Sequence, residues 1–363
     1  MKILNIVGAR PNFMKVAPVI TELNNFPKEF DHKLVHTGQH YDRQMSTAFF
    51  NDLDLPIPDI ELNAGSGSHA EQTAKIMMKF EKVCTSENPD LVIVYGDVNS
   101  TLACSITAKK LGLRVAHVEA GLRSRDITMP EEINRLCTDA ISDLLFTTDK
   151  MASENLQAEG VPSKRIYFVG NVMIDTLLKH KSKAKHKTLL KELDLRSQTY
   201  GLVTLHRPSN VDEFETLERL LTTIRKLSEK FPIIFPIHPR TKSKLTKFRL
   251  LNVVQNDKIH LLEPLGYLDF LHLTMNAKLV MTDSGGLQEE TTVLGVPCLT
   301  IRDNTERPIT CFEGTNTLVG NNPNVLMQKA LHVMGRELPR VRLPEKWDGS
   351  AGSRIVKILR KFS

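Results

Sequence analysis

Tryptophan occurs once and cysteine five times in 363 residues, and Cys84, Cys104, Cys137, Cys298 and Cys311 form no CxxC pair. An odd, scattered set argues against a disulfide framework or a zinc site and leaves some of the cysteines as small core residues. No GxGxxG follows the first strand and no GxxxxGK[ST] occurs, so the usual dinucleotide fingerprint and the phosphate loop of ATPases and GTPases are both missing. Long apolar runs are lacking too. The first, 3–7, stops before Gly8 and Arg10, too short for a signal-peptide core or a membrane span. The expectation is a cytoplasmic protein with no membrane contact. Nor is one sign of charge in excess: 48 basic and 42 acidic side chains leave +6. So mild a bias suits an anionic small molecule better than a nucleic acid, whose binders concentrate a basic stripe.

What is present is an alternation. With 41% apolar and 25% charged residues the chain has a globular balance, and at roughly 150 residues per domain its length suggests two domains. Short β-rich apolar runs at 3–7, 33–36, 91–95, 115–119, 144–148 and 166–169 alternate with amphipathic stretches of helical length. The pattern restarts at 201–205, 233–237, 259–262, 278–282, 297–301 and 316–319. Runs this short between helices predict parallel strands covered on both faces, an α/β class of two Rossmann-like, doubly wound domains. The break falls after Gly170, where a helical segment runs into the solvated basic stretch KSKAKHK. The expected domains are 1–170 and 171–346, with a C-terminal amphipathic helix, 347–363, completing the first. Ligands of such sheets bind beyond the carboxyl ends of the strands, so the active site is expected in a cleft between the halves.

The residues at those ends carry charge. After the first run come Arg10 and Lys15, off the helical stripe Phe13, Val16, Ala17, Ile20 and Leu23; their spacing suits an anion near a helix N-terminus as well as it suits two solvated side chains. Asp97 and Glu119 end two further strands. Asp97 has a plain alternative as a helix cap, whereas a Glu ending a buried strand is unusual. Pro130-Glu131-Glu132 opens a helix whose apolar stripe reads Ile133, Leu136, Cys137, Ala140, Ile141 and Leu144. Acids in a first turn commonly just complement the helix dipole; with Asp97 and Glu119 they form a candidate acid–base cluster. In the second half, His206 and His238 follow strands. Ser284-Gly285-Gly286 opens a helix in the manner of a phosphate site, with Glu290 one turn in, placed to accept from both ribose hydroxyls. Arg302 and Arg307 add positive charge. Together these read as a nucleoside diphosphate site.

The segments GARPNFMK, YGDVNST, HVEAGLRS, PEEINR, LHRPSN, IHPR, TDSGGLQEE and RDNTERP, in this order, resemble the UDP-N-acetylglucosamine 2-epimerase family over residues 1 to about 320. The resemblance implies a glycosyltransferase-B-like fold and cofactor-free inversion at C2 of a UDP-sugar by elimination and re-addition of UDP, for surface polysaccharide. It also implies a homodimer, with no nucleic acid or membrane partner. Carried over residue by residue, it makes Asp97, Glu119, Glu131 and His206 catalytic. Arg10, Lys15, Phe270, Ser284, Gly285, Gly286, Glu290 and Arg307 become substrate or UDP contacts, Phe270 lying beside the uracil and Leu265 meeting it through the backbone.

The segment Thr37-Gly38-Gln39-His40-Tyr41-Asp42 departs from the AQHR of many bacterial members, and residues 66–71 lack an arginine common before the following helix. Both departures put activation by a second substrate molecule in doubt. A related branch acting on UDP-diacetamido-uronic acids shares the GQH[YF]D pattern, but the Glu306-Arg307-Pro308 run favours UDP-N-acetylglucosamine. Hydrolysis to free N-acetylmannosamine, a glycosyltransferase and a non-catalytic UDP-sugar sensor are the remaining alternatives.

Overall fold

The computed structural model describes residues 1–38, 53, 56–337 and 342–362, with Arg10 described by its backbone alone. The expectation attached to Gln39, His40, Tyr41 and Asp42 lies outside the described residues. The chain divides into two units, Met1–Lys179 with Glu345–Ser363, and His180–Pro344.

The first unit holds β1 (Lys2–Val7), β2 (Asp31–His36), β3 (Ile60–Glu61), β4 (Leu91–Tyr95), β5 (Arg114–Ala120), β6 (Leu144–Thr147) and β7 (Ile166–Phe168). They form a parallel sheet in the order β3-β2-β1-β4-β5-β6-β7. The second unit repeats the plan with β8 (Gly201–Thr204), β9 (Ile233–Pro236), β10 (Ile259–Leu262), β11 (Leu279–Thr282), β12 (Cys298–Thr300) and β13 (Asn316–Leu318), ordered β10-β9-β8-β11-β12-β13. Each apolar run of the sequence is a strand. Beyond them the structure adds β3, a two-residue edge strand too short to show a pattern. In both sheets the winding direction reverses at one place, between β1 and β4 and between β8 and β11. Such a switch point opens a crevice beyond the strand ends.

Burial on both faces explains the unbroken apolar runs: all five residues of β4 are buried. Helix α1 (Arg10–Leu23) buries the stripe Phe13, Val16, Ala17, Ile20 and Leu23, and α2 (Asn99–Lys110) packs on β1, β4 and β5. In the second unit the helix α4 (Phe214–Ser228) buries Leu217, Leu220, Leu221, Ile224 and Leu227 against Val203, Ile233 and Phe235. At about 1.5–3 kcal/mol per fully buried side chain, such stripes fix the helices to the sheets. The C-terminal segment returns to the first unit. Trp347 Nε1 donates to the Thr148 carbonyl at 3.0 Å, and Asp175 accepts from the Ala351 and Gly352 amides at 3.1 and 2.8 Å, heading the helix Ala351–Leu359.

Helix α3 (Pro130–Ile141) corrects the sequence reading. Its apolar stripe does not face the core: Ile133, Cys137 and Ala140 are exposed, Leu136 and Ile141 half-buried, and Leu144 belongs to β6. The buried side chains are Glu132, Asn134, Arg135, Thr138 and Asp139. They are turned inward because the loops leaving β4 and β5 present unpaired backbone groups there, and buried polar groups need partners. Glu132 accepts from the Ser124 and Arg125 amides at 3.0 and 2.8 Å, and Asn134 Nδ2 donates to the Asp97 carbonyl at 2.8 Å.

Candidate functional site

The first cluster forms around Gly96-Asp97, where β4 ends. Gly96 has φ +67°, a left-handed conformation natural to glycine. A Cβ there would stand 2.5 Å from Lys15 Nζ and 3.4 Å from Glu119 Oε2. Lys15 and Glu119 are both buried and ion-paired with each other. Asn12 closes the turn from below: its Nδ2 donates to the Tyr95 carbonyl at 2.7 Å and its Oδ1 accepts from the Ala9 amide at 3.0 Å. Arg10 contributes the first residue of α1.

Asp97 does not cap α2, whose N-cap is Val98 without a side-chain bond. Its carboxylate pairs instead with Arg135, which also grips Glu132 Oε2 at 2.6 Å. Burial opposes the charge of Glu132, but bonds from the Ser124 amide and Arg135 outweigh it and hold the carboxyl below its ordinary range. Glu132 is thus a structural anchor. Glu131 is half-buried and lies one turn before Asn134 and Arg135, the two side chains that bind the 97 segment. Residues three and four apart share a helix face, so Glu131 is on Asp97's side of α3.

Glu119 carries the least ordinary backbone of the cluster, with φ +78° at a register shift between Val118 and Ala120 on β5. A non-glycine residue in that region costs roughly 1–3 kcal/mol and persists only where its surroundings over-determine it.

The second cluster lies at the other switch point, beyond β8 and β11. Asp283, fully buried, accepts from the His206 amide at 3.0 Å, the Arg207 amide at 2.9 Å and Asn210 Nδ2 at 3.1 Å. It also pairs with His206 Nδ1 at 2.7 Å. Burial works against its charge; the bonds from His206 and Arg207 prevail and keep the carboxyl below its usual range. Since Nδ1 is engaged, Nε2 is the ring atom of His206 that can meet a ligand.

Ser284 is the N-cap of α5 (Gly285–Leu294) and makes no capping bond with its side chain, so Gly285 and Gly286 already belong to the first helical turn. Gly285 has a packing reason of its own: a methyl there would overlap Glu306 Oε1 and Arg307 Nη1. Arg307 is buried and paired with Glu289 at 2.9 Å and with Glu306, which also holds Arg302 at 2.7 Å. Glu290, one turn into α5, accepts at 3.2 Å from the hydroxyl of Tyr267, the first residue of the helix Tyr267–Asn276. Phe270, one turn further along that helix, packs with Leu265 on the core cluster around Tyr200 and Leu202. The Ser284 amide donates to Thr282 Oγ1 at 3.0 Å, which leaves the Gly285 and Gly286 amides as the first-turn donors, in the same unit as Glu290 and Phe270.

The family model for UDP-N-acetylglucosamine 2-epimerase matches residues 22–360. The chain belongs to this family. A protein of Methanococcus maripaludis named UDP-N-acetylglucosamine 2-epimerase is 45% identical over 369 residues, covering 99% of this chain and 98% of that protein. A UDP-2,3-diacetamido-2,3-dideoxy-D-glucuronate 2-epimerase of Pseudomonas aeruginosa is 39% identical over 368 residues, with both chains covered completely. The crystal structure of Methanocaldococcus jannaschii UDP-GlcNAc 2-epimerase in complex with UDP-GlcNAc and UDP superposes with TM-score 0.93 at 44% identity, again over 100% of both chains. The two α/β units of this 2-epimerase family member are accordingly of the glycosyltransferase-B-like class.

The sequence reading gives no contact or positioning role to several residues that the structure puts in these clusters: Asn12, Arg135, Tyr267, Asp283 and Glu306. A signal for Asp283 is nevertheless present. It follows β11 at the switch point of its sheet, as Asp97 follows β4 at the switch point of the other. Among the described residues no helix is long and apolar enough to cross a membrane and no group of His, Cys, Asp and Glu could hold a metal ion.

Glu290 carries a pH dependence. Burial pushes its carboxyl up to about 7, the Tyr267 bond pulling the other way and the charge of Glu289 adding to the rise. A folded-state value above the unfolded one means stability that is full below about pH 4.5 and lost as pH rises through about 7. The expected penalty at pH 8 is on the order of 3 kcal/mol, because each tenfold difference in proton affinity between the folded and unfolded chain is worth about 1.4 kcal/mol. The thermal midpoint of the wild-type chain should fall between pH 5 and 8 more steeply than that of Glu290→Gln. Parallel slopes in the two melting series would refute it.

Proposed function

We propose that the protein interconverts UDP-N-acetylglucosamine and UDP-N-acetylmannosamine by inverting C2 of the sugar. The observation that supports this most is the Lys15–Glu119 pair over Gly96, beside Asp97 and on the side that Glu131 shares. Simple glycosyl transfer does not need three carboxylates and a lysine gathered from the end of β4 and from β5, α1 and α3.

The chemistry explains the groups. The C2 hydrogen of an acetamido sugar is not acidic, so its removal requires the C1–O bond to break at the same time. A carboxylate takes the C2 proton, the bonding pair forms the C1=C2 double bond, and UDP departs with the C1–O electrons. UDP then adds back to C1 as a proton is delivered to the opposite face of C2. A proton and UDP leave and return, and no redox change occurs, so the reaction calls for no cofactor. Acid–base catalysis supplies about 10²- to 10⁴-fold. The rest falls to electrostatic stabilisation of the departing diphosphate, for which His206 Nε2 and the first-turn amides of α5 are suited. Glu290 suits the ribose hydroxyls and Phe270 the uracil ring.

The test is incubation with UDP-N-acetylglucosamine in D₂O, with chelator and without nicotinamide cofactor, followed by NMR. Deuterium at C2 together with UDP-N-acetylmannosamine is expected. Free N-acetylmannosamine as the end product would move the protein to the hydrolysing branch. Inertness toward this substrate, with turnover of the diacetamido-uronate, would move it to the other branch.

A further inference from the structure

Glu119 does not hold its left-handed turn alone. The carboxylate of Asp139, on the inward face of α3, brackets the bulge. Its Oδ1 pairs with His117 Nδ1 at 2.6 Å, two residues before Glu119. Its Oδ2 accepts from the Gly121 amide at 3.0 Å, two residues after. The same oxygen accepts from Arg123 Nη1 at 2.7 Å, and Arg123 is anchored in turn by Glu159 at 2.8 and 2.6 Å. The other ring nitrogen of His117, Nε2, lies 2.8 Å from the Gly96 carbonyl, so the staple reaches the residue beneath Lys15 Nζ and Glu119 Oε2. Asp139 and His117 are 1% and 0% exposed and out of reach of any substrate. Burial opposes the charge of Asp139, and His117 and Arg123 overcome it, holding the carboxyl below its ordinary range.

We propose that Asp139 and His117 are a positioning pair that fixes Glu119 for proton transfer at C2. Their carboxylate–imidazole bridge spans the bulge and ties it to Gly96. This rests on the proposed role of Glu119 as an acid–base group. A buried hydrogen-bonded pair that served only the fold would have no need to grip both flanks of one strained residue. A carboxylate misplaced by an ångström loses catalysis before it loses binding.

The test is a double-mutant cycle with Asp139→Asn, which keeps volume and one acceptor, and His117→Asn as the second variant. Each is made alone and together with Glu119→Gln, and kcat, KM and UDP affinity are measured. Expected are a kcat loss of about 10-fold or more, with KM and UDP affinity within about 3-fold. Each double variant should be no slower than Glu119→Gln alone, since the pair acts only through Glu119. Losses that multiply overturn the positioning role, as does a normal kcat in both single variants while Glu119→Gln is inactive. Failure of both variants to fold assigns the pair to stability and likewise overturns the proposal. A normal kcat in Glu119→Gln instead removes the acid–base reading on which the proposal rests.

Discussion

Glu119→Gln is expected to lower kcat by on the order of 10²-fold or more while leaving UDP affinity within a few-fold. General acid–base groups contribute on that scale. The glutamine keeps the size and a hydrogen-bonding oxygen but cannot take a proton at neutral pH. It also leaves Lys15, 5% exposed, beside a neutral amide. A buried ammonium that loses its counter-charge costs stability, so a lower thermal midpoint should accompany the kinetic loss. The nucleotide contacts proposed for the second unit are untouched, and UDP binding measured by calorimetry should show it. Near-normal turnover with C2 deuterium exchange intact would return Glu119 to a structural role.

Asp283→Ala is expected to be at least as damaging. The change removes the acceptor of the His206 and Arg207 amides, of Asn210 Nδ2 and of His206 Nδ1 at once. Each buried donor left without an acceptor costs roughly 1–3 kcal/mol, so denaturant unfolding should show a large loss. The imidazole of His206, no longer held at Nδ1, should cease to present Nε2 in one direction, and kcat should fall by about 10²-fold, the scale of one lost preorganised donor. Asp283→Asn separates the two effects. Its amide oxygen can still accept from the backbone of the His206 segment, so stability should largely recover. Its NH₂ group can only donate to Nδ1, which reverses the ring tautomer and removes the negative charge behind it, so kcat should not. Recovery of kcat to within a few-fold in the asparagine variant would show that the histidine needs no carboxylate behind it.

The strands are legible because parallel strands are buried on both faces and so write themselves as short apolar runs, whereas their order in each sheet, and with it the switch points, is not. The rule that ligands bind beyond strand ends then leads to Asp97, Glu119, His206 and Ser284. Helix α3 misleads for a definite reason. Periodicity assumes that the polar side of a helix goes to water, and here it goes to backbone amides and carbonyls whose positions depend on sheet order. No local pattern announces that Asp139 will bracket residue 119 or that Arg135 will reach Asp97. The left-handed Glu119 is hidden too, since glutamate carries no conformational signature as glycine does. Gly285 reads as a source of amides, whereas the space it leaves is filled by Glu306 and Arg307 from a later segment. Phe270 is singled out by family resemblance alone, because an aromatic on a helix that buries Tyr267 and Leu271 reads as core.

The return of residues 345–363 to the first unit has a consequence for how the molecule is made. The Met1 ammonium donates to the Glu29 carbonyl at 2.8 Å, and Arg360 pairs with the carboxylate of the same residue at 2.8 Å. The two ends of the chain are neighbours. A ribosome issuing about 5–20 residues per second therefore delivers the second unit whole while the first, begun earlier, still lacks the Trp347 anchor and the helix that covers α1. The part synthesised first is the part completed last. During that interval only the side of α1 that meets the helix Ala351–Leu359, around Pro18, is uncovered, while its sheet-facing side is already packed on β1 and β4.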